Sequence, residues 1–385
     1  MAPTRRLWLA VLSGYLALGA TLQELPPFLS AKFHVGPAMI GLVVGAAFAA
    51  AAAGRPFAGR WGDAGRSRAV VVVGGLLAAV AGVGTLFAPD IAVLLLCRLV
   101  MGAGEAALFS GALPWVLADT PPDQRGRVAG WFGLSMWGGL TLGPVLAAAV
   151  AGAAGSTAVW WTVAALPLLS AALVVTAQKP TFVAGTENPG PLLPPGVTLP
   201  GSIIGLAAYG YGTLAALLVL SLGHSAGRVV ALPVFACAFL VVRGFGSPLV
   251  DGHGGAAVAR VTLVVQAAGL ALLAAAPDLA VTLVGAAITG AGLGLIYPAT
   301  AAMTLHRART ESGGAAVGAM TSFWDIGILI AGPVGGSIAA GIGYHAAFAA
   351  AAVVTVVALV LAVRASRAVS SAASAAGAGA AAVSR

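Results

Sequence analysis

The chain is written in long apolar runs separated by short polar breaks. Twelve runs are long enough to cross a bilayer as a helix, which takes about 20 apolar residues. They lie near 7–30, 37–59, 69–88, 91–114, 127–151, 157–178, 200–222, 228–248, 258–276, 279–303, 314–340 and 342–363. Within a run the apolar residues are continuous, as in VVVGGLLAAVAGVGTLFA (71–88). A transmembrane barrel would alternate apolar and polar residues over short segments. The spans are therefore predicted to be α-helices, and the fold an all-α membrane protein of twelve transmembrane helices.

Residues 179–199 (KPTFVAGTENPGPLLPPGVTL) interrupt the series. Proline lacks an amide donor and clashes with the preceding turn, so no helix continues through this stretch. The division is an N-terminal six-helix bundle (1–178), a linker (179–199) and a C-terminal six-helix bundle (200–365). The Ser/Ala/Gly-rich tail, 366–385, is expected to be disordered. Arg5–Arg6 ahead of the first run is like the start of a cleaved signal peptide. The eleven runs that follow favour a retained first helix.

Composition agrees. Hydrophobic residues make up 60% of the chain, charged residues 8%, and mean hydropathy is +1.01. A soluble domain carries about 25% charge, so too little charge is present to cover a soluble surface. A disordered chain is excluded by the opposite argument.

The charge that exists is placed unevenly. With the N-terminus inside, fourteen of the nineteen Lys and Arg residues are cytoplasmic: Arg5, Arg6, Arg60, Arg66, Arg68, Arg125, Arg127, Lys179, Arg260, Arg307, Arg309, Arg364, Arg367 and Arg385. Only Lys32 and Arg228 fall outside. This bias predicts a multi-pass cell-membrane protein with both termini cytoplasmic. It also accounts for the net charge of +8 without any nucleic-acid partner, since basic loops meet an anionic inner leaflet. Cys97 and Cys237 sit in apolar runs, and the five histidines form no metal-ligand pattern. No cofactor or metal is expected.

The two halves repeat at an offset of 188 residues. Arg55-Pro-Phe57…Asp63 is matched by Arg243-Gly-Phe245…Asp251. Ala88-Pro-Asp-Ile-Ala-Val93 is matched by Ala276-Pro-Asp-Leu-Ala-Val281, and Gly102-Ala-Gly104 by Gly290-Ala-Gly292. Gly130 and Gly139 are matched by Gly318 and Gly327. Gly143-Pro144 recurs as Gly332-Pro333, one residue out of step. Repeats with an even number of helices insert in the same orientation, so the halves should be related by an axis along the membrane normal. Such architectures place a binding site between the repeats and rock them about it. A small-molecule transporter is expected rather than an anchor.

Three stretches resemble the major facilitator superfamily, and the resemblance covers essentially the whole chain. Gly59-Arg-Trp-Gly-Asp63-Ala-Gly65-Arg66-Ser-Arg68 is similar to that family's loop between helices 2 and 3, with one residue fewer and Ala64 in the first basic position. The resemblance implies a cytoplasmic latch in which Asp63 and Arg66 act, with Gly59, Arg55, Arg243 and Asp251 at the same gate. Its plainer alternative is a positive-inside loop. Arg98-Leu-Val-Met-Gly102-Ala-Gly104-Glu105 resembles a helix 4 motif associated in the family with proton coupling. An arginine inside a span should face a cavity or a partner, and Arg98, Gly102 and Glu105 share one helical face. An internal Arg98–Glu105 ion pair is the structural alternative. Gly130, Gly139, Gly143 and Pro144 match a helix 5 pattern associated with antiporters, with Ala147-Ala148 for the usual closing Gly-Gly. Small-residue packing would account for it equally.

Glu24, Glu105 and Asp325 are the candidate proton carriers. Removing a carboxylate from water favours its protonated form, and ionisable groups inside spans are functional candidates by default. Tyr209, Tyr211, Tyr297, Gln266, Trp137 and Trp324 could line a cavity, or equally serve packing or an interfacial belt. The expected function is proton-coupled export of small, mainly apolar, weakly polar or cationic molecules by a monomer. A facilitator or a proton symporter importing a nutrient is the first rival. A membrane-embedded enzyme should cluster His, Asp or Ser at one depth, and this chain does not. A non-transporting sensor should carry a larger soluble portion. The absence of a GxxxxGK(S/T) motif removes an ATP-driven pump.

Overall fold

A computed structural model describes residues 3–118, 120–121, 125–177, 193–223, 225, 227–308 and 313–383. The linker expected over 179–199 lies outside the described residues as far as residue 192.

Thirteen α-helices are present among the described residues: α1 (Thr4–Phe33), α2 (Pro37–Trp61), α3 (Ser67–Phe87), α4 (Ile91–Ala118), α5 (Arg125–Ala154), α6 (Ser156–Val175), α7 (Thr198–Ser221), α8 (Gly227–His253), α9 (Gly255–Ala275), α10 (Leu279–Leu293), α11 (Ile296–Ala308), α12 (Gly313–Gly341) and α13 (Tyr344–Val383). Below, the near end is the end where α1 starts, and the far end is where it finishes.

The helices differ in detail from the apolar runs. Among the described residues, eleven helical stretches are long and apolar enough to cross a membrane by length and composition; α1 has the length as well and carries more polar residues. It is buried along most of its length and carries Ser13, Thr21, Gln23 and Glu24 inside the protein. The run expected over 279–303 is present as one span, Leu279–Arg307, with a turn at Gly294–Leu295 between α10 and α11. Pro298 follows, and its missing amide cannot bond the Gly294 carbonyl one turn back. The tail expected to be disordered continues α13 to Val383. Its alanines, the strongest helix formers, carry the helix on.

The halves pack alike. In the first, α1 lies on α5 and α6, α3 on α4 and α6, and α2 on α4. In the second, α7 lies on α12 and α13, α9 on α10 and α13, and α8 on α10. The repeated motifs make equivalent contacts. Asp90 and Asp278 of the two Ala-Pro-Asp triplets each accept an amide hydrogen bond at a helix start, from Val93 and Val281, both at 2.9 Å. Such caps satisfy amides that have no partner inside the helix. Gly102 and Gly290 press on the carbonyls of Ala47 and Phe235. Gly104 and Gly292 press on the backbones of Ala78 and Gln266. Each pair of contacts lies 188 residues apart in the chain, so one ancestral crossing is present twice.

Between the halves, α2 runs along α12, α5 meets α8, and α1 meets α7. The far end is tight. Gly41 is back to back with Gly332, and a Cβ on Gly336 would meet Ala38 Cα at 2.7 Å. Gln23 Nε2 of α1 donates to the Arg228 carbonyl of α8 at 3.0 Å. The near end is looser. A Cβ on Gly59, Gly130, Gly244 or Gly318, on the four helices that face across the interface, would meet nothing within 4 Å.

Candidate functional site

Five helices enclose a narrow cleft at the junction of the halves. Tyr15 and Leu18 come from α1, Ala47, Phe48, Ala51 and Arg55 from α2, and Glu105 from α4. Met136, Trp137 and Leu140 come from α5, and Trp324 and Asp325 from α12. The wall is apolar and aromatic except for three charged side chains and the Tyr15 hydroxyl.

Arg55 and Asp325 form an ion pair across the two halves. Arg55 Nη2 donates to Asp325 Oδ1 at 3.0 Å, and Nε donates to Oδ2. The fork of the guanidinium matches both carboxylate oxygens. Arg55 Nη1 also reaches the Tyr15 hydroxyl at 3.4 Å, which in turn donates to the Glu105 backbone carbonyl at 3.2 Å. Both ions are buried, at 6% and 1% exposure, and each is the partner that a charge away from water needs. Arg55 was expected among the gate residues at the inner end of the second span. It lies inside the bundle instead, because a buried acid on α12 stands opposite it.

Arg98 and Glu105 are both buried, at 1% exposure each, and they do not pair. Arg98 Nη1 donates to Thr21 Oγ1 at 3.1 Å and contacts Met101 Sδ at 3.0 Å. Its Nε and Nη2 face the Val43 and Val44 carbonyls of α2 at 3.3 and 3.5 Å. Arg98 thus ties α4 to α1 and α2. The ion pair offered as its structural alternative is absent, since Arg98 is engaged by Thr21 and the α2 carbonyls. Glu105 Oε1 is buried with no hydrogen-bond partner.

Behind the cleft wall, an aromatic cluster runs into the second half. Trp137 lies edge-on to Trp324, with ring centroids 4.5 Å apart, and packs against Tyr297 at 5.3 Å. Tyr211 stacks on Trp324 at 5.5 Å and leans on Phe235 at 5.6 Å. Arg243, the repeat counterpart of Arg55, lies buried over the Tyr297 ring at 5.7 Å. The counterpart of Asp325 at the same offset is Trp137, so the acid is present in one half alone.

Other expected site residues lie elsewhere. Gln266 is in the packing of α9 on α7, with Nε2 on the Ala207 carbonyl at 2.8 Å, and does not line the cleft. Tyr209 is buried on α7 outside the cleft too. Glu24 is buried in the far half of α1, where Arg228 is the cation acting on it, and is separate from the cleft. In the second-to-third-span loop, Gly62–Arg66 forms a π-helical turn broken at Ala64 and Gly65. Gly65 has φ +77°, which favours glycine there. Arg66 is exposed, and so is Asp251 at the end of α8. The Asp63 side chain lies outside the described residues, and Gly59 faces open space. In α5, Gly139 and Gly143 abut the α1 backbone at Leu12–Leu16 and Gly19–Ala20. Pro144 follows within the same helix, and Gly130 touches nothing. Glycine allows the close approach, so two of the three glycines have a packing role.

Tyr15, Phe48, Met136 and Thr21 escaped the sequence reading. An apolar or hydroxyl side chain in an apolar run gives no signal of its own. Only the company of Arg55 and Arg98 distinguishes them.

A family model described as Major Facilitator Superfamily matches residues 7–251 and 197–384. An uncharacterized MFS-type transporter of Salmonella typhimurium is 30% identical over 353 residues, covering 89% of this chain and 91% of that protein. A similarly uncharacterized one from Burkholderia mallei is 30% identical over 346 residues, covering 87% and 84%. Among solved structures, a bacterial homolog of the human lysosomal transporter Spinster, inward-facing and occupied, matches with TM-score 0.76 and 18% identity over 94% of this chain and 96% of that one. The human organic anion transporter MFSD10 (TETRAN) matches with TM-score 0.67 and 16% identity over 94% and 100%. At such identity these structures speak for the fold, a twelve-span bundle in two pseudo-symmetric halves. The chain is a member of the major facilitator superfamily, a multi-pass membrane transporter and not an enzyme.

Proposed function

We propose that the protein exports small molecules against protons by alternating access, as a monomer in the bacterial inner membrane with both termini in the cytoplasm. The observation that carries this reading is the Arg55–Asp325 ion pair, which joins the two halves in the same cleft as the unpartnered Glu105.

An ionised Asp325 attracts Arg55 and holds α12 to α2. A protonated Asp325 loses most of that attraction, because a neutral acid offers a hydrogen bond and no charge. Arg55 is then free to turn toward Glu105 across the same cleft. Proton occupancy is thereby tied to the fit between the halves. Glu105 and Asp325 carry the proton in this scheme, and Arg98 fixes the helix that presents Glu105.

The near end is taken as cytoplasmic, since Arg5, Arg6, Arg60, Arg66 and Arg68 gather there. Asp63 and Arg66, with Asp251 at the symmetry-related place, are assigned to a latch that closes this end. The export direction rests on the resemblance of the helix 5 pattern to that of antiporters.

Transport into inverted membrane vesicles tests the reading with a panel of compounds. Uptake that requires an acidic lumen is the expected result. Equilibration indifferent to the gradient would make the protein a facilitator. Uptake driven by acid on the outside would make it a symporter.

A further inference from the structure

We propose that Tyr15 is a positioning residue for the inter-half ion pair: its hydroxyl fixes the Arg55 guanidinium so that the other two nitrogens meet Asp325, and Gly139 of α5 fixes where that hydroxyl stands. The proposal rests on the reading above, in which the pair ties proton occupancy to the fit of the halves, and adds a way for α5 to act on it.

The guanidinium of Arg55 is engaged at all three nitrogens. Nε and Nη2 donate to Asp325 on α12. Nη1 donates to the Tyr15 hydroxyl on α1 at 3.4 Å. That hydroxyl donates its own hydrogen to the Glu105 carbonyl on α4 at 3.2 Å. A hydroxyl has one hydrogen to give, so toward Arg55 its oxygen is an acceptor. A guanidinium is a rigid plane. Holding one nitrogen from within the first half therefore aims the other two at the acid of the second half.

The hydroxyl is placed from the other side of α1. A Cβ on Gly139 would stand 2.6 Å from Tyr15 Cβ, 2.7 Å from the Leu12 carbonyl oxygen and 2.8 Å from Leu16 N. The α5 backbone thus presses on the very turn of α1 that carries Tyr15. Gly143, one turn further, abuts Gly19 and Ala20 instead.

The second half provides an internal control. At the repeat offset Ile203 takes the place of Tyr15, and it is fully buried. Packing at this place needs no hydroxyl. Arg243, the counterpart of Arg55, lies over the Tyr297 ring from α11. The hydroxyl on the first helix of the half is present where the inter-half pair is present, and at the other copy both are replaced by apolar side chains.

The charged and titratable groups around Asp325 are Arg55 on α2, Tyr15 on α1, Glu105 on α4 and Tyr297 on α11. From α5 come Met136 and Trp137, which do not titrate. From α7, Tyr211 stacks on the adjacent Trp324. Helix α13 carries no titratable side chain between His345 and Arg364. Arg55 is the cation that faces the acid, so its placement decides how readily Asp325 takes a proton.

Infrared difference spectra of the full chain in nanodiscs, recorded over a pH series, test this without a substrate. The protonated-carboxyl band that Asp325→Asn removes belongs to Asp325. Tyr15→Phe should move the midpoint of that band to higher pH by about one pH unit, because a carboxylate whose cation is less firmly held takes up a proton more readily. Gly139→Ala should move it in the same sense, and Gly143→Ala should leave it in place. A midpoint unmoved by Tyr15→Phe overturns the proposal. Melting temperatures of Tyr15→Phe, Arg55→Gln and the double variant form a cycle that needs no proton. The loss caused by Tyr15→Phe should be smaller once Arg55 is gone. An equal loss in both backgrounds makes Tyr15 a packing residue and overturns the proposal. A wild-type Asp325 band that does not titrate would count against the proton-coupled reading, and the cycle would then decide on Tyr15 by itself.

Discussion

Arg55 and Asp325 are 270 residues apart in the chain and belong to different halves, yet they form a buried two-point ion pair in the wall of the central cleft. The repeat supplies a second arginine, Arg243, but at the place of the second acid it supplies Trp137. The helices repeat, but the acid that pairs with Arg55 does not.

Removing either member of the pair leaves a charge without its partner in the interior, which costs about 3–5 kcal/mol when a buried pair is broken. Asp325→Asn and Arg55→Gln should each lower the melting temperature clearly, and the double variant should recover part of the loss. None of the three should support proton-driven transport. Thermal unfolding in detergent, with vesicle transport alongside, checks both halves of this expectation.

Glu105→Gln should behave differently. Glu105 Oε1 has no hydrogen bond to lose, so the substitution should leave the melting temperature unchanged or higher while abolishing the pH dependence of transport. A loss of stability as large as that of Asp325→Asn would show that Glu105 has a structural partner.

Thr21→Val removes the hydroxyl that accepts from Arg98. A hydrogen bond to a charged group contributes about 1.5–3 kcal/mol, and thermal unfolding should register a loss of that order. The pH profile of transport should keep its wild-type shape, because Thr21 acts on Arg98 and not on the cleft acids.

The helix 5 glycines divide by their surroundings. A Cβ on Gly139 would meet the Leu12 carbonyl at 2.7 Å and Leu16 N at 2.8 Å, whereas one on Gly130 meets nothing. Gly139→Ala should destabilise by about 1–3 kcal/mol, as overpacking does. Gly130→Ala should be neutral or stabilising by up to about 1 kcal/mol, the helix propensity gained. Expression and melting temperature of the two variants decide the matter.

The twelve apolar runs and their division into two repeats were legible because membrane spans must be long, apolar and helical. The Ala-Pro-Asp and Gly-Ala-Gly repeats were legible too, since a cap and a close crossing each demand a particular residue. The turn at Gly294–Leu295 was missed because hydropathy does not change there; Pro298 was the available signal. The pairing of Arg55 with Asp325 could not be read, since it depends on how α2 lies along α12. Each residue stood out singly as a charge inside an apolar run, and the two were placed in different roles. Gln266 stood out in the same way and proved to be a packing residue, because a lone polar group in a span satisfies a backbone carbonyl as readily as it meets a ligand.

The central claim is that the halves rock about this cleft, opening one end as the other closes. Spin labels test it most directly. One pair replaces Gly130 on α5 and Gly244 on α8 at the near end, where both positions have open space. A second pair replaces Met39 on α2 and Ser337 on α12 at the far end, both exposed. On mild acidification the account predicts that the near-end distance shortens while the far-end distance lengthens, and that Asp325→Asn abolishes the response. Two distances that stay fixed, or that change in the same sense, would contradict it.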